Sequence, residues 1–537
     1  MDSSGNLKIN FEEMTIQNLK VFQWWDYPVF FVLSLITVGS IFNVLTDWFT
    51  LKDWGEYPVT YFALTLLLLI SLVNFWGRWS LLWFMRKPEP IDIKTNWKVA
   101  VVTSFVPHSE PIEMLEETLR SLVALEYPHD TWVLDEDDHV QVKNLCHRLG
   151  VNHFSRKNLP QFQTEKGMFQ SRSKHGNYNA WLNSIGFKKY DIISAFDPDH
   201  IPKKNFLAKV LGYFEAPKTG YVQVAQAYYN QDAGFIARGA AEETYDYYST
   251  IQMASYAMDY PIIIGSHNTH RVTALKEVGG FAPHDADDLL LTLFYRDHKW
   301  KGVYLPEILA RGLTPVDWPG YLIQQRRWAR SVLDLKFRCY PKIAPNLTLK
   351  SKIMSFLHGF NYIYRSITYP VILTLLTILL LTGNTPVCFS WEFLQSFGFL
   401  WGVIGICEFY RQRFYLDWKK EKGMHWRAGL LQFAKWPYML LAIWDVFVNH
   451  RPAYEMTAKV KSGSKQFLLK WPNFFVFGVL GSSFIYYLIE NQSVNPVIVL
   501  TTVFFLFCSF GLVLTEFFLF PEPYPKDTQR KKFHQEN

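Results

Sequence analysis

The chain has 537 residues, more than one ordinary domain needs, and 49% of them are hydrophobic. Its mean hydropathy of −0.02 averages very apolar segments with ordinary soluble sequence. A net charge of +6, with the basic residues gathered beside apolar segments, excludes a nucleic-acid-binding stripe, and five scattered cysteines with no CxxC pair (Cys146, Cys339, Cys388, Cys407, Cys508) exclude a disulfide framework or structural zinc site.

Met1 to Tyr27 is polar, partly acidic, and lacks the basic start and cleavable apolar stretch of a signal peptide. The apolar runs 28 to 47 and 60 to 84 are each long enough, as helices, to cross about 30 Å of hydrocarbon. Residues 1–95 are thus expected to be a segment with two transmembrane helices. From 96 to 345 the pattern changes. Strand-like runs at Val99–Phe105, Trp132–Leu134, Ile192–Phe196 and Tyr221–Ala225 alternate with amphipathic stretches, which predicts an α/β domain with a largely parallel sheet.

Apolar stretches return near 362 to 382, 387 to 409, 426 to 448, 471 to 489 and 496 to 518, within a region set at 346–520 and followed by a polar tail, 521–537. The basic loops 411 to 427 and 451 to 465 and the basic tail 526 to 532 should lie in the cytoplasm. With cytoplasmic loops on both sides, 426 to 448 cannot cross once; it predicts an amphipathic helix in the interface, with Lys435 and Trp436 at head-group level. About six spans remain, with both termini and the α/β domain inside. No internal repeat is visible for an inverted-repeat transporter to build on.

The sharpest local signal is Asp197-Pro198-Asp199-His200, directly after the strand Ile192–Phe196. Two carboxylates two residues apart at a strand end can share a hard divalent cation, and solvated loop acids are the bland alternative. Trp132-Val133-Leu134 ends likewise in Asp135-Glu136-Asp137-Asp138, where Asp135 is favoured as a nucleotide contact, Asp137 is held in reserve, and a plain acidic turn is the alternative. Lys174-His175-Gly176-Asn177-Tyr178-Asn179 offers a cation for phosphate and a glycine for close backbone approach, or a simple helix start.

Gly265-Ser266-His267-Asn268 follows the strand-like Pro261–Ile264 and lines an acceptor site or forms a polar loop. Asp287 and Asp288 stand at the start of a helix, where the dipole favours negative charge and a carboxylate can act as general base. Gln324, Arg327 and Trp328 share one helix face: an amide, a guanidinium for pyrophosphate and an aromatic platform for a sugar, although a membrane-surface helix shows the same spacing.

Taken in order, these residues resemble the processive family-2 glycosyltransferases of the cellulose synthase type. Asp135 looks like that family's first Asp, the 174–179 segment is similar to its KxGNxN element, and Asp197 with Asp199 matches its DxD. Asp288 falls on its catalytic base, and Gln324, Arg327 and Trp328 match QxxRW. Tyr454-Glu455-Met456-Thr457-Ala458-Lys459 resembles the family's FxVTxK gating loop, with Thr457 and Lys459 retained. Departures are Ala286-Asp287-Asp288 where the family has TED, the acid run after Leu134 where it has DDG, and a shortened segment at Pro107–Pro111.

The resemblance, which covers about residues 95 to 490, implies a cytoplasmic GT-A (Rossmann-like) domain inserted between transmembrane helices. It implies a catalytic Asp288, Mg2+ or Mn2+ on Asp197 and Asp199, and a UDP-sugar held by Asp135, Lys174, Asp197, Asp199, Gln324, Arg327, Thr457 and Lys459. The acceptor glycan would meet Trp328, His267 and Asn268. The expected activity is inverting, processive synthesis of a β-glucan from UDP-glucose with export across a bacterial inner membrane, alongside accessory subunits and without a C-terminal PilZ domain. A non-processive transferase acting on a lipid or short glycan, and an inactive accessory or transport protein, are the alternatives.

Overall fold

The computed structural model describes residues 15–49, 57–107, 110–450, 469–491 and 493–517. The chain enters through a short strand β1 (Asn18–Lys20) and two long apolar helices, α1 (Asp26–Trp48) and α2 (Pro58–Ser80). It leaves through β2 (Arg86–Pro88), which pairs antiparallel with β1.

The α/β layer is built on a seven-stranded sheet in the order β10-β8-β9-β6-β3-β4-β5. Its strands are β3 (Val99–Phe105), β4 (Asp130–Asp135), β5 (Asn152–Phe154), β6 (Ile192–Phe196), β8 (Thr219–Val224), β9 (Asn268–Arg271) and β10 (Lys301–Leu305). A two-residue strand β7 (Ile201–Pro202) pairs outside this sheet with β11 (Ala310–Arg311). Within the seven-stranded sheet β9 runs against both neighbours, and every other pairing is parallel.

Alternation along the strands makes two cores. Val99, Val101 and Phe105 of β3 pack with Leu115 and Leu119 of helix α3 (Ile112–Val123), while Ala100 and Val102 face Tyr178 and Trp181 of α5 (Lys174–Trp181). Between those helices comes α4 (Val140–Leu149), whose left-handed Gly150 ends it. The first core continues into Trp79, Leu82 and Phe414, so the sheet packs directly on the inner ends of the apolar helices. Ion pairs reinforce that seam, since Asp246 meets Arg78 at 2.7 Å and Arg411 at 3.5 Å.

The strand-like run Pro261–Ile264 is not a strand, and the strand lies a few residues on, at β9. Its buried amides find side chains in place of a ladder: Ile262 N–H donates to Gln252 Oε1, Ile263 to Thr292 Oγ1 and Ile264 to Gln223 Oε1, at 2.9–3.1 Å. Three polar side chains on three different elements therefore do what a neighbouring strand would do.

The layer is completed by α6 (Phe235–Glu242), α7 (Asp287–Asp297) and α8 (Trp318–Asp334). Then follow α9 (Leu349–Leu357), α10 (Phe360–Thr382) and α11 (Trp391–Arg411). Gly359, at φ +76°, turns the chain between α9 and α10, and a Cβ there would meet Val332 of α8 at 2.4 Å.

Among the described residues, five helical stretches are long and apolar enough to cross a membrane: Asp26–Trp48, Pro58–Phe84, Leu349–Thr382, Trp391–Phe414 and Trp471–Glu490. A last apolar helix runs from Pro496 to Phe517, and its stretch Pro496–Leu512 falls short of those five in length.

The segment 426 to 448 forms two short helices, α12 (Trp426–Ala434) and α13 (Trp436–Phe447), each too short to span. Lys435 between them does not reach outward. It is buried, 3.0 Å from Glu243 and 2.8 Å from Gln325 Oε1, and Glu243 also accepts from the Tyr321 hydroxyl. The carboxylate of Glu243 offers it a charge partner that a head group would otherwise supply.

Candidate active site

Parallel strands bring their carboxyl ends to one edge of a sheet, where an α/β fold gathers its ligands. Phe105 pairs with Asp135 and Thr103 with Phe196, so the acid turn after β4 and Asp197 after β6 flank the end of β3. Because β9 is reversed, its first residue Asn268 pairs with Ala195, and Gly265–His267 reach the same edge from the opposite direction.

Ser173 caps α5 by accepting from the Gly176 amide at 3.1 Å, which sets Lys174 on the first turn. A Cβ on Gly176 would stand 2.2 Å from the Gln170 carbonyl oxygen, so this turn is seated too closely for any side chain there. Asn177 donates to the Leu134 carbonyl, and Asn179 both donates to the Phe281 carbonyl and accepts from its amide. The two asparagines thus tether the helix to β4 and to the Gly279–Phe281 turn, which directs Lys174.

The Lys174 ammonium donates to Asp197 Oδ1 at 2.6 Å and to the Gly265 carbonyl. Burial works against its charge, but Asp197, Tyr178 and Asp287 outweigh burial and hold Lys174 above the ordinary lysine range. Asp197 is itself positioned by its amide, which donates to Ser266 Oγ at 2.9 Å. Asp199 is almost wholly buried, with His200 Nδ1 3.1 Å from one oxygen and the Leu313 amide 3.3 Å from the other.

One ligand atom each from Asp197, Asp199 and His200 lie within 4.8 Å of one another. Two carboxylates and an imidazole suit a hard or borderline divalent cation, and Lys174 already sets positive charge on Asp197. His200 directly follows the acid pair in sequence, and that adjacency is the signal that could have marked it as part of the cluster.

Asp287 and Asp288 open α7, and Asp288 Oδ1 accepts from the Leu289 amide at 2.8 Å. The other oxygen faces Gly265, 3.8 Å from where a Cβ would sit. Burial, and then the neighbouring Asp287 carboxylate, push the Asp288 carboxyl up to about 7, in the range of a general base poised near neutrality.

The loop before α7 is fastened to α8 at two points that the sequence did not single out. His284 Nε2 lies 3.1 Å from Asp334 Oδ2 while its Nδ1 accepts from the Ala286 amide at 2.9 Å, and Arg330 meets Asp285 at 2.8 Å. Gln324, Arg327 and Trp328 lie half-buried on that same helix. Loop residues spaced by chance of the turn, rather than by a helical or strand period, give no pattern to read beforehand.

Other expected contact residues also have partners within the fold. Asp135 is fully buried, accepts from the His139 amide at 2.6 Å and the Asp137 amide at 3.1 Å, and meets His153. Glu136 of that turn holds buried Arg156 at 2.8 Å. His267 and Asn268 are the residues expected to meet an acceptor. Both are buried, and the Asn268 amide is spent on the Ile264 carbonyl and His270. Thr457 and Lys459 lie outside the described residues.

The profile of the glycosyltransferase-like family 2 matches residues 99–331. A UDP-forming cellulose synthase catalytic subunit of Xanthomonas axonopodis pv. citri is 24% identical over 287 residues, 52% of this chain and 37% of that protein. Cellulose synthase 2 of Novacetimonas hansenii is 26% identical over 298 residues, 53% of this chain and 18% of that protein. The match spans well under half the length of either curated relative. Among solved structures, a mannosyltransferase of Pyrobaculum calidifontis in complex with GDP-Man and Mn2+ is similar at 14% identity and TM-score 0.48, over 78% of this chain and 100% of that one. Residues 99–331 match the glycosyltransferase-like family 2 and resemble cellulose synthase catalytic subunits in sequence, and membrane-length apolar helices stand on both sides of them.

Proposed function

We propose that this chain is an inverting, processive glycosyltransferase that polymerises a β-glucan from UDP-glucose and passes it across the membrane. The observation that carries the reading is the contact chain from Asp197 through Lys174 to Gly265, set against the raised carboxyl of Asp288. These contacts support a reading in which a cationic donor cradle and a base poised near neutral pH face one another.

In this reading Asp288 takes the proton of the acceptor hydroxyl. The acceptor oxygen attacks the anomeric carbon as the bond from that carbon to the diphosphate breaks, so an α-linked donor becomes a β-linkage and UDP departs. Asp197 and Asp199, with His200, would hold Mg2+ or Mn2+, which when bound supplies positive charge to the leaving diphosphate. Lys174 and Arg327 add fixed cations aimed at the same developing charge. The Asp135–Asp137 turn receives the nucleotide, Gln324 adds to the donor contacts, Trp328 holds the acceptor sugar, and Thr457 with Lys459 close over the donor. The domain would face the cytoplasm of a bacterial inner membrane, with accessory subunits receiving the polymer.

The test is UDP release by the full chain in nanodiscs with Mn2+ or Mg2+ and either UDP-glucose or UDP-N-acetylglucosamine, with products sized and digested by linkage-specific glucanases. Long β-glucan from UDP-glucose is expected. Short products would replace the processive reading by a non-processive one, and no UDP release from any donor would overturn both.

A further inference from the structure

A second concavity lies away from the sheet edge. It is a groove of about 710 Å³ between α1 and α11, within the size range of small-molecule sites. Val29 and Val32 line one wall and Ile406 and Phe409 the other, and Val32 and Phe409 are 52% and 66% exposed. No described element covers them.

One end of the groove is different. There Arg413 and Trp418 close the apolar channel. The Arg413 guanidinium lies over the Trp25 ring at 5.5 Å, and its Nε edge meets Asp26 at 3.1 Å. Asp26 is further engaged by the Tyr410 hydroxyl and the Gln23 amide. Among the described residues no hydrogen-bond acceptor meets the two Nη groups of Arg413, which is 44% exposed. Lys422 lies 4.1 Å over the Trp418 ring, with Lys419 and Lys420 on the same short turn, so the rim is basic and aromatic.

We propose that this groove binds one glycerophospholipid with an anionic head group. An acyl chain would fill the Val32–Phe409 channel, and the phosphate would receive the free Nη pair of Arg413 beside the lysines of the rim. A guanidinium whose Nη edge is open presents the bidentate geometry a phosphate takes. Tryptophans at that level match the head-group belt, and the arginine stem extends from apolar wall to polar rim as an interfacial arginine does. A second protein helix laid in the groove would bury Arg413 without supplying the anion. The inference stands independently of the glycosyltransferase reading.

Native mass spectrometry tests it on the full chain released from nanodiscs of phosphatidylcholine doped with phosphatidylglycerol. The wild type is expected to retain about one phosphatidylglycerol in preference to phosphatidylcholine, and Arg413→Gln to lower that retention about tenfold, the weight of one charge-assisted hydrogen bond. Val32→Trp fills the channel without touching the charges and is expected to lower it as much, so loss of fold in one variant does not decide the matter. Equal retention of both lipids by the wild type, or unchanged retention in folded variants, overturns the proposal. A wild-type dimer that Val32→Trp dissolves would overturn it too, in favour of a self-interface.

Discussion

Replacing Asp288 by asparagine keeps the outline of the side chain and removes its charge. Burial with Asp287 alongside lifts this carboxyl from the ordinary 3.8 to about 7. Three pKa units at about 1.4 kcal/mol each set a ceiling of about 4 kcal/mol on the cost of ionising it in the fold. Water entering the recess reduces this, and about 1–2 kcal/mol is expected. Between pH 3.8 and about 7 the native protein holds a proton that the unfolded chain has released. The stability carried by the protonated carboxyl is therefore full below pH 3.8 and is lost as pH rises through about 7. Asp288→Asn escapes this loss. It should melt higher than wild type at about pH 8.5, with the difference shrinking towards pH 5, while UDP release falls by about 10²–10⁴-fold. Wild-type turnover should rise through about pH 7 as the base ionises. Turnover by the variant within about tenfold of wild type, or a lower melt at high pH, would refute the assignment of Asp288 as a buried general base.

Lys174→Gln removes the ammonium from Asp197 and Gly265 and is expected to weaken UDP binding about tenfold in calorimetry, with unchanged affinity as the contrary result. Asp199→Asn should lower Mn2+ binding, read by electron paramagnetic resonance without any donor present, whereas an unaltered isotherm would move the cation elsewhere. Lys435→Met and Glu243→Gln should each cost about 3–5 kcal/mol by leaving a buried partner unpaired. Together they should cost much less than the sum, so additive losses in thermal melts would show the pair to be uncoupled. Gly176→Ala should cost about 1–3 kcal/mol through its clash with the Gln170 carbonyl, and a neutral melt would show that the 156–170 loop yields freely.

Where a local rule carried the chemistry, the sequence was readable. An apolar run ending in acids marked β4 and β6 with the Asp197 turn, and Ser-capped Lys174 and the acid-led α7 lay where capping and dipole rules expect them. Tertiary substitution was not readable. Nothing local tells that Gln223, Gln252 and Thr292 will take the place of a ladder at Pro261–Ile264, or that the strand begins only at Asn268. Asn268 and Lys435 share one lesson. A polar residue at an expected contact point can be consumed by its own frame, and only the fold reveals which partner reaches it first.

The pairing of β1 with β2 carries a topological consequence for insertion. Residues 18–20 and 86–88 lie side by side, so whatever crosses between them must return, and the number of crossings between those strands is even. The three-rung ladder works as a parity lock on the first helical hairpin. It can close only after the second helix has come back, and a chain inserted with an odd count would leave both strands without partners on opposite faces of the bilayer.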